Sequence, residues 1–291
     1  MIQPNVDMLF ARLSPSLEGL VTAIYELQVG VAAVADQQHP EWFNLRFPLS
    51  GSWWSRRNND QVELMAPSFV QGPNTSLIDF GGHAGAMFGV GLMPAGWALL
   101  FESTAEGLSN SSLPLSQFLP AGELEALVDG LQGLPDFTQR ATMVEAMLLQ
   151  RLACAPMTSH VERVMALQAA LIDPSIGTVD ALAQTTDLSM RTLERLCRLA
   201  IGFPPKLLLR RQRFLRMLGL MHLQSPADWL AFLDPFYSDQ SHMIRDFQAF
   251  LGTSPNRYFS RSRPVLAVAT ERRMAMMGSP IQALPNHRAQ A

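Results

Sequence analysis

The stretch that decides the fold of the C-terminal half is Tyr237–Tyr258, with the sequence YSDQSHMIRDFQAFLGTSPNRY. Ser238 can cap the start of a helix, and Gly252 is the residue type that commonly follows the end of one. The spacing predicts a buried stripe along this helix, formed by Met243, Ile244, Phe247, Phe250 and Leu251. It leaves a polar open face, formed by Asp239, Gln240, Ser241, His242, Arg245 and Gln248.

A second helix is predicted immediately upstream. Ser225-Pro226-Ala227-Asp228 combines a capping residue, a proline at the first helical position and an acid three residues after the cap. Asp234-Pro235 then breaks the chain before the helix capped by Ser238. Residues 225–251 are therefore predicted to form two short helices joined by a turn.

The same small unit occurs once more, at residues 178–200. Thr178 can cap its first helix, the turn Thr185-Thr186-Asp187 follows, and Ser189 can cap its second helix. The inward residues of that second helix are predicted to be Leu193, Leu196, Cys197 and Ala200. Its open face is predicted to carry Met190, Arg191, Thr192, Glu194, Arg195 and Arg198.

One long helix is predicted between the two units, over residues 204–223. Its apolar side is predicted to consist of Leu207, Phe214, Leu218 and Met221. Arg213 and Arg216 are expected on the opposite side. A rigid helix of this kind would fix the distance and the angle between the two units.

The charge of the chain is distributed unevenly. Residues 1–157 contain 6 Arg and Lys against 15 Asp and Glu, for a net charge of −9, whereas residues 158–291 contain 16 against 10, for +6. A basic half joined to an acidic half is typical of a C-terminal part that binds a polyanion, and charge alone fits a basic surface without a partner equally well. An excess of basic residues is typical of helix–turn–helix units. The second helix of such a unit enters the major groove of DNA and needs a polar and partly basic face.

These residues also carry a family resemblance. The pattern Leu188-Ser189-x-Arg191-Thr192-Leu193-x-Arg195 with Gly202, Pro205 and Arg213, followed by the stretch 237–258, resembles the DNA-binding domain of the AraC/XylS family of bacterial transcription regulators. The match spans about residues 160–262. Asp234-Pro235-Phe236 departs from the family pattern, which usually has a glycine-aromatic turn there, and a changed turn would alter the orientation of the second recognition helix.

The resemblance implies two helix–turn–helix units on a linker helix, which contact two successive major-groove segments of double-stranded DNA. It also implies contact with RNA polymerase in activating members of the family. The DNA-binding residues predicted on these grounds are Ser189, Met190, Arg191, Thr192, Arg195, Arg198, Ser238, Asp239, Gln240, Ser241, His242 and Arg245.

The N-terminal half is predicted to be rich in short strands with helices after it. Leu45, Phe47 and Leu49 alternate, as do Val62 and Leu64, and Gly81-Gly82 is expected to separate further strands. Helical spacing begins near Ser116. The fold class is therefore α+β with two domains: a small β-barrel or cupin-like domain with trailing helices at 1–157, and an all-α domain of two helix–turn–helix units at 158–262.

The N-terminal half more faintly resembles the sensing domain of a subgroup of these regulators, through Gly89-Val90-Gly91-Leu92-Met93-Pro94-x-Gly96. This implies a small-molecule effector, a homodimer, or both. Effector-binding candidates are His39, Trp42, Trp53, Trp54 and His83. A regulator whose N-terminal half only dimerises remains an alternative, and a cupin-like enzyme is a further one.

The remaining signals mainly exclude classes of protein. No nucleophile elbow, phosphate loop or spaced carboxylate pair is present, so we expect no catalytic site, metal or cofactor. Cys154 and Cys197 are isolated, which fits a reducing cytoplasm. The run 84–101 contains four glycines and a proline, which favour a strand, a turn and a helix over a membrane span. The tail 263–291 is predicted to be partly disordered after a short helix at 266–277.

Overall fold

The computed structural model describes residues 5–57, 60–101, 103–223, 237, 239–278 and 280–281. A strand-rich N-terminal part precedes a helical C-terminal part, which confirms the predicted α+β class. The strands are β1 (Val6–Phe10), β2 (Val21–Val29), β3 (Val34–Gln38), β4 (Phe43–Pro48), β5 (Ser52–Arg57), β6 (Glu63–Leu64), β7 (Phe69–Gln71), β8 (Ile78–His83), β9 (Gly85–Leu92) and β10 (Ser112–Pro114). The α-helices are α1 (Pro94–Leu100), α2 (Ala121–Gly133), α3 (Phe137–Cys154), α4 (Ser159–Ile172), α5 (Val179–Thr185), α6 (Met190–Ile201), α7 (Pro205–Leu223), α8 (Gln240–Leu251), α9 (Pro255–Phe259) and α10 (Pro264–Met277).

The described strands form two open antiparallel sheets. The larger sheet has the order β1-β2-β9-β4-β7-β10, and the smaller has the order β3-β8-β5-β6. Strand β4 is buried along its length from Phe43 to Phe47, so Leu45 and Phe47 do not mark one buried face. Val62 and Leu64 are 56% and 82% exposed beside and within the edge strand β6. The alternation of apolar residues predicted that these strands exist, but it did not predict which of their side chains are buried.

The glycine pair at 81–82 lies inside β8, where the sequence pattern predicts a separation between strands. In the register of the sheet, Gly81 pairs with Trp54 and Gly82 with Trp53. A Cβ atom on Gly81 would lie 2.4 Å from the Trp54 ring, and one on Gly82 would lie 2.4 Å from the Trp53 ring. The glycines therefore make room for two indole rings rather than ending a strand.

The apolar run at 84–101 forms β9 and then the buried helix α1, as predicted. The predicted trailing helices are α2 and α3. Within the described part of the chain, no helix is long and apolar enough to cross a membrane. One apolar core runs from the strands through α1 into the C-terminal helices.

Helix α7 is buried on nearly every side. Leu208, Phe214 and Leu218 are each 0% exposed. Arg211 is also 0% exposed, and its guanidinium lies over the Trp42 ring, 4.1 Å from the centroid. The prediction of an open side was wrong for Arg213, whose side chain is only 13% exposed, because α8 packs against it.

Two loops of the strand-rich part contact the ends of α6 and α8. The Ala105 amide donates to the Leu199 carbonyl of α6 at 2.7 Å, and the Leu77 amide donates to the Phe250 carbonyl of α8 at 3.2 Å. The loops are joined to each other, since the Asn110 amide donates to the Pro73 carbonyl at 2.8 Å. Carbonyls in the last turn of a helix lack partners within that helix. The strand-rich part therefore supplies a hydrogen-bond donor to the C-terminal end of α6 and another to the C-terminal end of α8.

Helix α10 confirms the predicted tail helix and packs against β1 and β3. The Asp36 carboxylate of β3 accepts hydrogen bonds from the amides of Val265 and Leu266 at 2.7 and 3.0 Å. A carboxylate at this position satisfies free amides and complements the helix dipole. The disorder predicted beyond about Met277 falls outside the described residues except at 278 and 280–281, where Ile281 is buried.

We expect Gly82→Ala to lower the free energy of unfolding by about 1–3 kcal/mol, because the new methyl group would overlap the buried Trp53 ring. Gly122→Ala is the matched control: no atom lies within 4 Å of its added Cβ, and alanine favours the helix by up to about 1 kcal/mol. Urea unfolding of both variants measures the difference. Equal stability of the two variants would show that β8 has room for a side chain at position 82.

Candidate nucleic-acid interface

The first helix–turn–helix unit consists of α5 and α6, each capped as predicted. The Thr178 hydroxyl accepts from the Ala181 amide at 3.2 Å, and the Ser189 hydroxyl accepts from the Thr192 amide at 3.3 Å. Asp187, in the turn between them, has φ of 51°, a left-handed conformation that aspartate tolerates. Gly202 ends α6 with φ of 87°. Capping residues close in sequence therefore mark where α5 and α6 begin and where α6 ends.

Helix α6 has the predicted division between a buried and an open face. Leu193, Leu196, Cys197 and Ala200 are buried, and burial raises the pKa of the Cys197 thiol to about 12. The open face contains the exposed Met190, Arg191, Glu194, Arg195 and Arg198 and the half-buried Thr192. Arg198 pairs with Glu194 at 3.1 Å. Among the described residues, neither Arg191 nor Arg195 forms a salt bridge, so both can donate to an external partner.

In the second unit, α8 begins one residue later than predicted. Its N-cap is Asp239, whose carboxylate accepts from the His242 amide at 2.7 Å. Ser238, which we expected to be the cap, lies outside the described residues, as do the predicted upstream helix start at 225–228 and the break at 234–235. Asp239, which the sequence predicts to contact DNA, caps α8 with its carboxylate. Gly252 ends the helix in the left-handed conformation.

The buried stripe of α8 contains one error of prediction. Ile244 is 41% exposed, whereas Asp246 is 0% exposed. Met243, Phe247, Phe250 and Leu251 are buried as predicted. Gln240, Ser241 and Arg245 are exposed on the open face. His242 is half-buried, with its ring edge-on to Tyr237 and its Nε2 3.3 Å from Arg213, so its exposed edge is limited.

The buried Asp246 carboxylate connects α8 to α7. It accepts from Arg210 Nε at 2.5 Å and from the Tyr237 hydroxyl at 2.8 Å, and Arg213 Nη2 lies 3.5 Å from its second oxygen. A buried charge needs such partners, because an unpaired carboxylate in the core is strongly destabilising. Helical periodicity alone could not find this residue, since its partners lie on another helix.

The structure does not bring the five predicted effector-binding residues together. Trp42 stacks on Arg211, Trp53 and Trp54 cover the glycines of β8, and His83 is exposed at the end of that strand. His39 is buried and contacts the Tyr258 hydroxyl, which also lies 3.0 Å from His222 Nε2. Burial is the main cause that lowers the pKa of His39 well below its usual value, and it lowers that of His222 to about 4.

A cavity of about 130 Å³ lies between the two sheets and α10, and of the five candidates only His39 lines it. Its walls are mainly apolar and include Met8, Phe10, Leu27, Phe80, Met87 and Val265. Its polar lining includes Tyr25, Glu41, Arg46 and Arg273. The sequence did not predict these polar residues, because they come from β2, the loop before β4, β4 and α10, and no local motif connects them. Among the described residues, no group of three or more His, Cys, Asp or Glu could bind a metal.

In a comparison with known families, the model of a helix-turn-helix domain matches residues 182–261. No curated protein matches the sequence.

Weak likenesses to solved structures include ToxT from Vibrio cholerae O395, with 10% identity, 88% of this chain and 97% of that chain covered, and a TM-score of 0.42. An unsaturated fatty acid bound wild-type ToxT from strain SCE256 has 10% identity, coverage of 89% and 96%, and a TM-score of 0.40. The AraC-like transcriptional activator CuxR has 18% identity, coverage of 72% and 85%, and a TM-score of 0.30. Scores of this size establish nothing about the ligand of this chain.

Asp246→Ala should lower the free energy of unfolding by about 3–5 kcal/mol, because the nearly buried Arg213 and Tyr237 lose their acceptor. Glu194→Ala is the control on the other helix: it removes the exposed pair with Arg198, which contributes at most about 1 kcal/mol. Chemical denaturation followed by circular dichroism compares them. A loss below about 1 kcal/mol in both variants would contradict the structural role given to Asp246.

Proposed function

We propose that this chain, whose C-terminal half carries an AraC-type helix-turn-helix domain, is a transcription regulator that inserts α6 and α8 into two successive major-groove segments of DNA. One observation carries the proposal: two capped helices with polar open faces are attached to one buried helix, α7. A buried connecting helix fixes their relative positions, which matters only if both engage one extended partner.

The open faces offer the donors that base recognition requires. Arg191 and Arg195 on α6 and Arg245 on α8 can each donate two hydrogen bonds to a guanine edge, and Gln240 can pair with adenine. Met190 is 50% exposed and can contact a thymine methyl group. Arg198 forms a salt bridge with Glu194, so it suits a phosphate contact better than a base contact. The hydroxyls of Ser189, Thr192 and Ser241 complete the predicted contacts.

If Arg195 contacts a base, Arg195→Ala should weaken binding to the specific duplex by about 1–3 kcal/mol and binding to a scrambled duplex much less. Fluorescence anisotropy with both duplexes measures the two effects. Arg163→Ala, which removes an exposed arginine from α4, serves as the control. An equal loss on both duplexes would instead make Arg195 a phosphate contact, and no loss on either would remove it from the interface.

The strand-rich half supports a second element of the proposal, namely that the regulator responds to a small molecule. We infer that the cavity under α10 is the effector site and that its ligand has an apolar body and one anionic group. The described lining contains one carboxylate, Glu41, against two guanidinium groups, Arg46 and Arg273. Glu41 pairs with Arg46 at 2.8 Å, and the formal charges of Glu41, Arg46 and Arg273 sum to +1.

Burial makes this excess positive charge unfavourable. It lowers the pKa of Arg273 to about 10 and that of Arg211, which also lies near Glu41, to about 9. Among the described residues, Nε and Nη2 of Arg211 have no hydrogen-bond acceptor. An anion bound in the cavity would offset these charges, and α10 would transmit its presence, because Arg273 lies on that helix.

A carboxylate should bind better than its neutral amide. We expect 4-phenylbutyrate to raise the thermal midpoint of the full chain and to bind at least about tenfold more tightly than 4-phenylbutyramide, whereas Arg273→Met should remove the difference. Arg163→Met removes an exposed arginine of α4 that does not line the cavity, and it is the matched control. Equal binding of acid and amide, or no binding of either, would contradict an anionic effector and favour an N-terminal half that only dimerises.

Contact with RNA polymerase and homodimerisation remain implications of the resemblance.

A further inference from the structure

A second basic surface lies between the two recognition helices, away from most of the predicted base contacts. It is an open cleft between the start of α5, one side of α7 and the start of α8. Its cationic lining consists of Lys206, Arg210 and Arg213 from α7 and Arg245 from α8. None of the three α7 residues was among the DNA-binding residues predicted from sequence.

The cleft has an excess of positive charge. The buried Asp246 pairs with Arg210 and Arg213, so it offsets one of these two charges. Asp180, at the start of α5, is the acidic residue among the lining residues described. Lys206 and Arg245 are exposed, and no salt bridge involves either of them in the described part of the chain. Two cations therefore remain for an external anion.

Lys206 lies between the two units. It lines this cleft beside α8, and it also lines the cleft beside α6 that contains Arg191, Arg195 and Arg198. It is the only lysine in the sequence. A lysine provides a compact point charge on a flexible stem, which suits a phosphate and gives little discrimination between bases.

The position of the cleft relates it to the path of DNA. If α6 and α8 occupy successive major-groove segments on one face, the backbone of the intervening minor groove passes the protein between them. Lys206 is the α7 residue that lines both the cleft beside α6 and the cleft beside α8. A cationic surface at this point meets phosphates whatever the base sequence is.

We propose that Lys206 and Arg210 form a phosphate cradle that binds the DNA backbone between the two half-elements of the operator. The proposal rests on the proposed function, because it requires both recognition helices to bind the same duplex. The cradle contributes affinity and register, while the recognition helices contribute sequence preference. Arg210 also positions Asp246, so Lys206 is the residue that reports on the cradle without disturbing the core.

The first test compares Lys206→Gln with wild type in the full chain, using the duplex selected from a random pool and a scrambled duplex over a salt series. We expect an affinity loss of about three- to tenfold on both duplexes and a slope of log K against log salt that is smaller by about 0.9. Arg12→Gln removes the same charge from the strand-rich half and should change neither quantity. An unchanged slope for Lys206→Gln would overturn the proposal.

The second test places the contact on the duplex. Neutral methylphosphonate linkages are introduced only between the two half-elements, and their effect is measured with wild type and with Lys206→Gln. We expect the neutral linkages to weaken wild type and to have little further effect on the variant, because both changes remove one contact. Equal effects on the two proteins would contradict the proposed phosphate cradle but not the proposal that the chain is a transcription regulator. Failure of wild type to select any duplex would overturn both.

Discussion

The relative position of the two recognition helices depends on the buried carboxylate of Asp246. It connects α8 to two arginines of α7 and to the Tyr237 hydroxyl, and it does so with no exposure to solvent. A polar contact of this kind restricts geometry more than apolar packing does, because the hydrogen bonds are satisfied in only one arrangement. Since α6 packs against the same helix α7, fixing α8 on α7 also fixes α8 relative to α6.

The strand-rich half acts on the same geometry. Its two joined loops donate to the last turns of α6 and α8, and Trp42 stacks on Arg211 of α7. The proposed effector cavity is closed by α10, which follows the DNA-binding helices in the chain and is capped by Asp36 of β3. The proposed ligand would therefore lie in the part of the molecule that contacts both recognition helices. This connection requires no flexible linker, because one core passes through both halves.

The sequence predicted correctly those features that residues close together in the chain specify, such as helix caps and helical periodicity. Thr178 and Ser189 cap α5 and α6, and the period of 3.6 residues identifies the inward residues of α6, so the first unit was predicted correctly. Prediction failed where a distant partner determines the environment. Ile244 was assigned to the core and Asp246 was not considered for it, because burial of the carboxylate depends on arginines 33 and 36 residues away in the chain.

Two other differences have the same physical origin. Gly81 and Gly82 carry a turn-like sequence signal, yet they lie within a strand because indole rings from β5 cover them. The aromatic and histidine candidates for an effector site were chosen by residue type, whereas the cavity is defined by the meeting of two sheets and α10. Neither the register of a sheet nor the docking site of a terminal helix is encoded within a few neighbouring residues.

The central claim is that α6 and α8 bind DNA as a pair, and selection of bound duplexes from a random pool by the full chain tests it most directly. The bound fraction is sequenced after selection at several salt concentrations. The account predicts enrichment of a split motif whose two half-elements are centred about one helical turn apart, roughly 34–36 Å. Salt-sensitive binding without any enriched sequence, or enrichment of a single half-element alone, would contradict it.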